Sequence, residues 1–76
     1  MTTLQEWGAA IIARRAELGL TQKDLSGRVK TSQQHLSLVE RGAVEPGLDL
    51  RLRLAAALET TAEQLFPYPS TPAVSA

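Results

Sequence analysis

The chain has 76 residues, 43% apolar and 21% charged, with a formal net charge of zero and no cysteine. That length fits one domain, which buries only about 60% of the surface its unfolded chain exposes and leaves little room for a deep catalytic pocket beside the core. Disulfides and thiolate metal sites are excluded, a reducing cytoplasm is the expected compartment, and the start Met1-Thr2-Thr3-Leu4 predicts neither a signal peptide nor a membrane span.

In chain order, the punctuation predicts five helices and no strand. Thr3 with Glu6 reads as a capping box, followed by the periodic residues Leu4, Trp7, Ile11 and Leu18, with Gly19 as a left-handed stop. Trp7, on that apolar stripe, is expected in the core. Thr21 with Asp24 opens a second helix that buries Leu25 and Val29. Ser32 caps a third, with Leu36 and Val39 inward and Gly42 closing it. A fourth runs from about Leu48 to Leu58 after the turn Glu45-Pro46-Gly47. Its Leu48, Leu50, Leu52 and Leu54 alternate with charged residues as a strand would, but Leu and Ala favour helix and no partner strand exists. Thr61 with Gln64 opens a short fifth helix that Pro67 ends. Residues 1–66 therefore form the domain, and residues 67–76, with three prolines, form a tail expected to be extended or disordered.

Zero net charge argues against a nucleic-acid partner, but the distribution does not. Arg14 to Arg41 contains six basic and three acidic residues, a net +3, and the remainder carries −3. A basic middle between acidic ends can present a positive face to phosphate.

The second and third helices are short and joined by a tight turn at about Lys30-Thr31. Such a pair packs at a steep angle, so that one helix can enter the DNA major groove. With Leu36 and Val39 inward, Gln33, Gln34, Ser37, Leu38 and Arg41 fall on the outer face of the third helix. A glutamine amide donates and accepts at once, which matches the N6 donor and N7 acceptor of adenine, and Leu38 can pack on a thymine methyl.

The residues Gly19-Leu20-Thr21-Gln22, Leu25 and Ser32 through Gly42 resemble the phage repressor and Cro (XRE-like) helix-turn-helix family. So does the later run Glu45-Pro46, Leu54-Ala55-Ala56-Ala57-Leu58 and Glu63-Gln64-Leu65-Phe66. The resemblance covers about residues 8–66. It implies an all-α fold, a five-helix lambda-repressor-like DNA-binding domain with a central helix-turn-helix. It further implies a sequence-specific duplex-DNA-binding transcriptional regulator, a repressor acting as a homodimer on a palindromic operator and associated with the nucleoid. Gln33, Gln34 and Ser37 match base-reading positions, and Leu38 matches one that is usually polar. Thr21, Gln22 and the backbone around Arg41, Gly42 and Ala43 match phosphate contacts. For Gln22 this suits the anion-attracting amides of a helix N-terminus. Arg15 and Glu40 match an ion pair that ties the first helix to the end of the third and orients it.

Three positions depart from the family pattern. Lys30 stands where a turn glycine is usual, so a non-glycine must adopt a left-handed conformation. Ser26 and Gly27 should soften the second helix. Arg51 stands where a small or apolar residue is common: either its stem is buried with the charge reaching out, or the local register differs.

No catalytic constellation emerges. His35 has no second metal ligand at helical spacing and lies either near the DNA backbone or on plain surface. No glycine-rich phosphate loop or nucleophile elbow is present. No enzyme activity, cofactor or metal is expected. A homodimer is expected because one reading helix spans too few base pairs, and two-fold pairs read half-sites about 34 Å apart. Leu50 or Leu52, with Thr60 to Phe66, is the expected interface. The competing class is an antitoxin or adaptor whose main partner is a toxin or other protein.

Overall fold

In the computed structural model, which describes residues 3–67, five helices follow one another: α1 (Thr3–Glu17), α2 (Gln22–Arg28), α3 (Gln33–Glu40), α4 (Leu48–Ala57) and α5 (Ala62–Leu65). There is no strand among the described residues. Each helix gives one stripe to a shared core, including Trp7 and Ile11 from α1, Leu25 from α2, Leu36 and Val39 from α3, Leu54 from α4 and Leu65 from α5.

Local chemistry sets most boundaries. The Thr21 hydroxyl accepts from the Asp24 N–H, and the Asp24 carboxylate accepts from the Thr21 N–H, both at 3.0 Å, so the capping box at α2 is complete. Ser32 accepts from the His35 N–H at 2.9 Å and starts α3. Gly19 (φ 69°) and Gly42 (φ 76°) take the left-handed conformation past the ends of α1 and α3. At Gly19 the Leu20 N–H reaches back to the Arg15 carbonyl, closing the last turn. Lys30 does adopt a left-handed conformation, φ 59°, in the turn between α2 and α3. For a residue with a Cβ this costs about 1–2 kcal/mol.

The alternating leucines resolve as a helix. Leu50, Leu54 and Leu58 are buried at i, i+4, i+8, and Leu48 and Leu52 point to solvent, 62% and 52% exposed. Leu50 is therefore core, which removes it from the expected dimer surface and leaves Leu52. Of the Thr60–Phe66 stretch, Leu65 and Phe66 are also buried in the core. Thr3 lies within α1 rather than flanking it as a cap. At α5 only half of the expected box forms. Thr61 accepts from the Gln64 N–H, but the Gln64 side-chain oxygen accepts from the Thr60 hydroxyl instead of the cap backbone.

Two arginines that the periodicity did not single out close helix ends across the fold. Arg14 donates from Nε to the Leu58 carbonyl at 2.8 Å, where α4 ends in a second left-handed non-glycine, Glu59 (φ 60°). Arg53 donates from Nη1 to the Val29 carbonyl at 2.7 Å, at the end of α2. A cation is favoured at a helix C-terminus, where carbonyls lack partners within the helix. Arg51 is half-buried, with its guanidinium 5.2 Å from the centre of the Trp7 ring. The stem is covered, as in the first alternative for that residue, but the charge does not reach outward: the guanidinium lies against the core ring of Trp7 and its Nε is buried. Trp7 itself is core, meets Phe66 edge-on at 5.3 Å, and donates from Nε1 to the Pro67 carbonyl at 2.8 Å. The expected extended tail lies, beyond Pro67, outside the described residues.

Candidate nucleic-acid interface

The site is built around one face of α3. Leu36, Val39 and Glu40 are buried, so the opposite face is turned away from the core. On it Gln33, Gln34 and Arg41 are exposed, and Ser37 and Leu38 are half-buried. Leu38 is thus a partly covered apolar patch between two exposed amides and a cation. His35 is half-buried beside them.

What aims that face is the buried carboxylate of Glu40, whose side chain is only 2% exposed. It accepts from Arg15 Nε at 2.9 Å and Arg15 Nη2 at 3.1 Å, a two-point contact. It also accepts from Gln22 Nε2 at 2.8 Å. Arg15 in turn donates from Nη1 to the Leu20 carbonyl at 3.1 Å. One carboxylate therefore ties together α1, the start of α2 and the last turn of α3. Burying charges costs several kcal/mol per ion, and such a pair adds little net stability over an apolar substitute. Its directional bonds restrict how α3 can rotate about its axis.

Glycines let α1 come close enough for this contact. A Cβ on Gly8 would overlap the Glu40 carbonyl oxygen and sit 2.6 Å from its carbon and 2.9 Å from the Val39 oxygen. At Gly42 an added Cβ would meet the Gln5 backbone at 2.9 Å. Backbone packs on backbone at both points. Gly8 was not assigned a role from the sequence, although a signal existed. It lies in mid-helix, where glycine costs about 1 kcal/mol relative to alanine, and at i, i+3 and i+7 with Ile11 and Arg15.

The residues matched to phosphate contacts divide into two kinds. The amides of Arg41, Gly42 and Ala43 donate to the carbonyls of Ser37, Val39 and Leu38, at 3.1, 3.0 and 2.9 Å, and so close α3. The Thr21 amide is used by Asp24. The side chains of Gln22 and Arg41 extend beyond this closing network, Gln22 with its amide already oriented by Glu40, and the Thr21 hydroxyl, which accepts from the Asp24 N–H, keeps its own hydrogen to donate. Of the six cations between Arg14 and Arg41, Arg14 and Arg15 serve internal contacts, and Lys23, Arg28, Lys30 and Arg41 are exposed. Among the exposed acids, Asp24 is held below the usual carboxylate range. The Thr21 backbone N–H contributes most, then the Thr21 side chain, with the charges of Arg28 and Lys23 adding to them.

Among the described residues there is no cluster of His, Asp or Glu able to hold a metal ion, and no helix there is long and apolar enough to cross a membrane.

Comparison with known proteins matches this architecture. A helix-turn-helix family model matches residues 11–65. An uncharacterized HTH-type transcriptional regulator of Methanothermobacter thermautotrophicus is 46% identical over 44 residues, which are 58% of this chain and 64% of that protein. The chain thus spans under two thirds of this relative's length. The clp gene regulator ClgR of Corynebacterium glutamicum superposes with a TM-score of 0.82 at 28% identity, over 86% of this chain and 69% of that one. The restriction-modification controller protein C.AhdI of Aeromonas hydrophila gives 0.79 at 30% identity, over 83% and 96%. These relatives are named as regulators or controllers. With the family model spanning most of the chain, from within α1 through α5, the protein belongs to the Cro/XRE-type helix-turn-helix family.

Proposed function

We propose that this chain reads duplex DNA sequence-specifically through the outer face of α3, as a homodimer on a palindromic operator, and represses transcription from it. The observation that carries the reading is the contrast between the two faces of α3. One is anchored by Glu40 to two other helices, and the other offers exposed Gln33 and Gln34 beside Ser37 and Leu38. The glutamines suit adenine edges, each bidentate pair discriminating by about 1–3 kcal/mol. Side chains carry the phosphate contacts in this reading: Arg41 and Gln22, with the hydroxyl of Thr21. The amides of Gly42 and Ala43 shape the turn that presents them.

The dimer in this reading rests on α4 and α5. Leu48 and Leu52 of α4 are exposed, and Leu48, Ala62, Phe66 and Pro67 border a groove of about 500 Å³ with Arg51 and Glu63 among its walls. Apolar surface of this kind beside polar rims marks an association site.

Selection of binding sites from a random duplex library tests the function. A two-fold symmetric consensus is expected, and substitution of Gln33 and Gln34 by alanine should flatten base preference in each half-site. A double variant with the full preference of the parent would sink the base-reading assignment. Sedimentation of Leu52→Lys should shift the protein toward monomer, at nearly unchanged monomer stability, and weaken operator binding. Repression itself is read from a reporter placed behind the selected site.

A further inference from the structure

We propose that Arg53, on α4 and outside the helix-turn-helix, is a positioning residue that locks the turn between α2 and α3 and so fixes the attitude of the reading helix. Its importance for binding rests on the DNA-reading role proposed above; the lock itself does not.

The turn has few supports of its own. Val29 ends α2, and the Val29 and Thr31 amides donate to the carbonyls of Leu25 and Ser26 at 3.0 Å. The Lys30 amide makes only a long 3.4 Å bond to Gly27, and Lys30 is in the left-handed conformation that a residue with a side chain resists. Ser26 and Gly27, the poorest helix formers of α2, lie in its last turn, before Arg28 and Val29. The Val29 carbonyl, at the end of the helix, has no acceptor role within α2. Arg53 Nη1 takes it at 2.7 Å, a short charge-assisted bond. The guanidinium is held on its far side, where Nη2 lies 3.0 Å from Asp49 Oδ2 one turn earlier on α4. Asp49, Arg53 and the Val29 carbonyl thus form a relay from α4 to the hinge of the reading head. The planar fork of arginine makes both bonds at once, which a lysine ammonium on a flexible stem does less well.

The test uses the full chain, with Arg53→Met keeping the stem, Arg53→Lys keeping a donor, and Asp49→Ala removing the outer support. Hydrogen exchange on the free protein reads the lock. In Arg53→Met the Thr31 amide should exchange about fivefold faster, the Ile11 amide being unchanged, since a hydrogen bond to a charged, partly exposed group is modest in strength. Arg53→Lys should recover much of the protection, and Asp49→Ala should lose less than Arg53→Met. Unchanged protection at Thr31, or equal acceleration at Thr31 and Ile11, overturns the proposal.

Binding reads the consequence. On a duplex chosen by site selection, Arg53→Met should bind about fivefold more weakly, and on random duplex within about twofold of the parent. Equal losses on both duplexes would make Arg53 a phosphate contact and overturn the positioning role. A parent protein that selects no sequence refutes the DNA reading alone, and the exchange result still decides the lock.

Discussion

The contact between α1 and α3 and the closure of α4 and α5 over Trp7 are built from different materials. At the first, Gly8 and Gly42 bring backbone against backbone, and a buried carboxylate is shared by Arg15 and Gln22. At the second, Trp7 and Phe66 meet edge-on, Leu50, Leu54 and Leu58 fill the core, and Leu48 and Leu52 remain outside. Apolar packing is non-directional and tolerates exchange of similar volumes. Hydrogen bonds to a buried charge and glycine contacts tolerate little. The contact that aims α3 is of the specific kind, and the packing of α4 and α5 over Trp7 is mostly of the adaptable kind, pinned at its edges by the Arg14 and Trp7 bonds to the Leu58 and Pro67 carbonyls.

The comparison can be broken at its strictest point first. Glu40→Ala leaves the half-buried Arg15, and Gln22 beside it, without the carboxylate and should cost about 3 kcal/mol, read by urea denaturation. Gly8→Ala should cost about 3 kcal/mol, because the added methyl meets backbone that cannot turn aside. Leu54, fully buried in the apolar packing of α4, makes the control. Leu54→Met keeps nearly the same volume and should cost less than about 1.5 kcal/mol. Equal losses for Gly8→Ala and Leu54→Met would erase the distinction between the two kinds of contact.

Smaller effects sharpen it. Lys30→Gly removes left-handed strain but adds freedom to the unfolded chain, so a net gain of about 0.5 kcal/mol is expected by thermal melting. The smallest effect is in acid. The Asp24 pKa is lowered in the folded state, so its capping contribution is present above the ordinary aspartate value, near pH 4, and is lost as pH falls through the lowered folded value. The melting difference between the parent and Asp24→Asn should therefore hold at neutral pH and shrink toward zero in strong acid. A difference independent of pH would exclude ionised Asp24 as its source.

Much of the fold was legible because its signals are local. The Thr21–Asp24 box, the Ser32 cap and the left-handed turns at Gly19 and Gly42 depend on residues within a few positions of one another. The α4 helix was legible from propensity in spite of its alternating leucines. The face of α3 followed from placing Leu36 and Val39 inward. The Arg15 and Glu40 partnership was expected only through family resemblance, since 25 residues separate them.

Sequence by itself determined the five helices, their order and the residues offered on the outer face of α3, because hydrophobic periodicity and capping are written within single helical turns. Tertiary structure alone decided which leucines of α4 are core and which are surface. It alone put Gly8 against the Glu40 backbone, Arg14 on the Leu58 carbonyl, and Arg53 on the hinge of the helix pair. Those contacts join positions 24 to 44 residues apart. They exist only after the helices have packed, and no local preference of glycine or arginine specifies the partner.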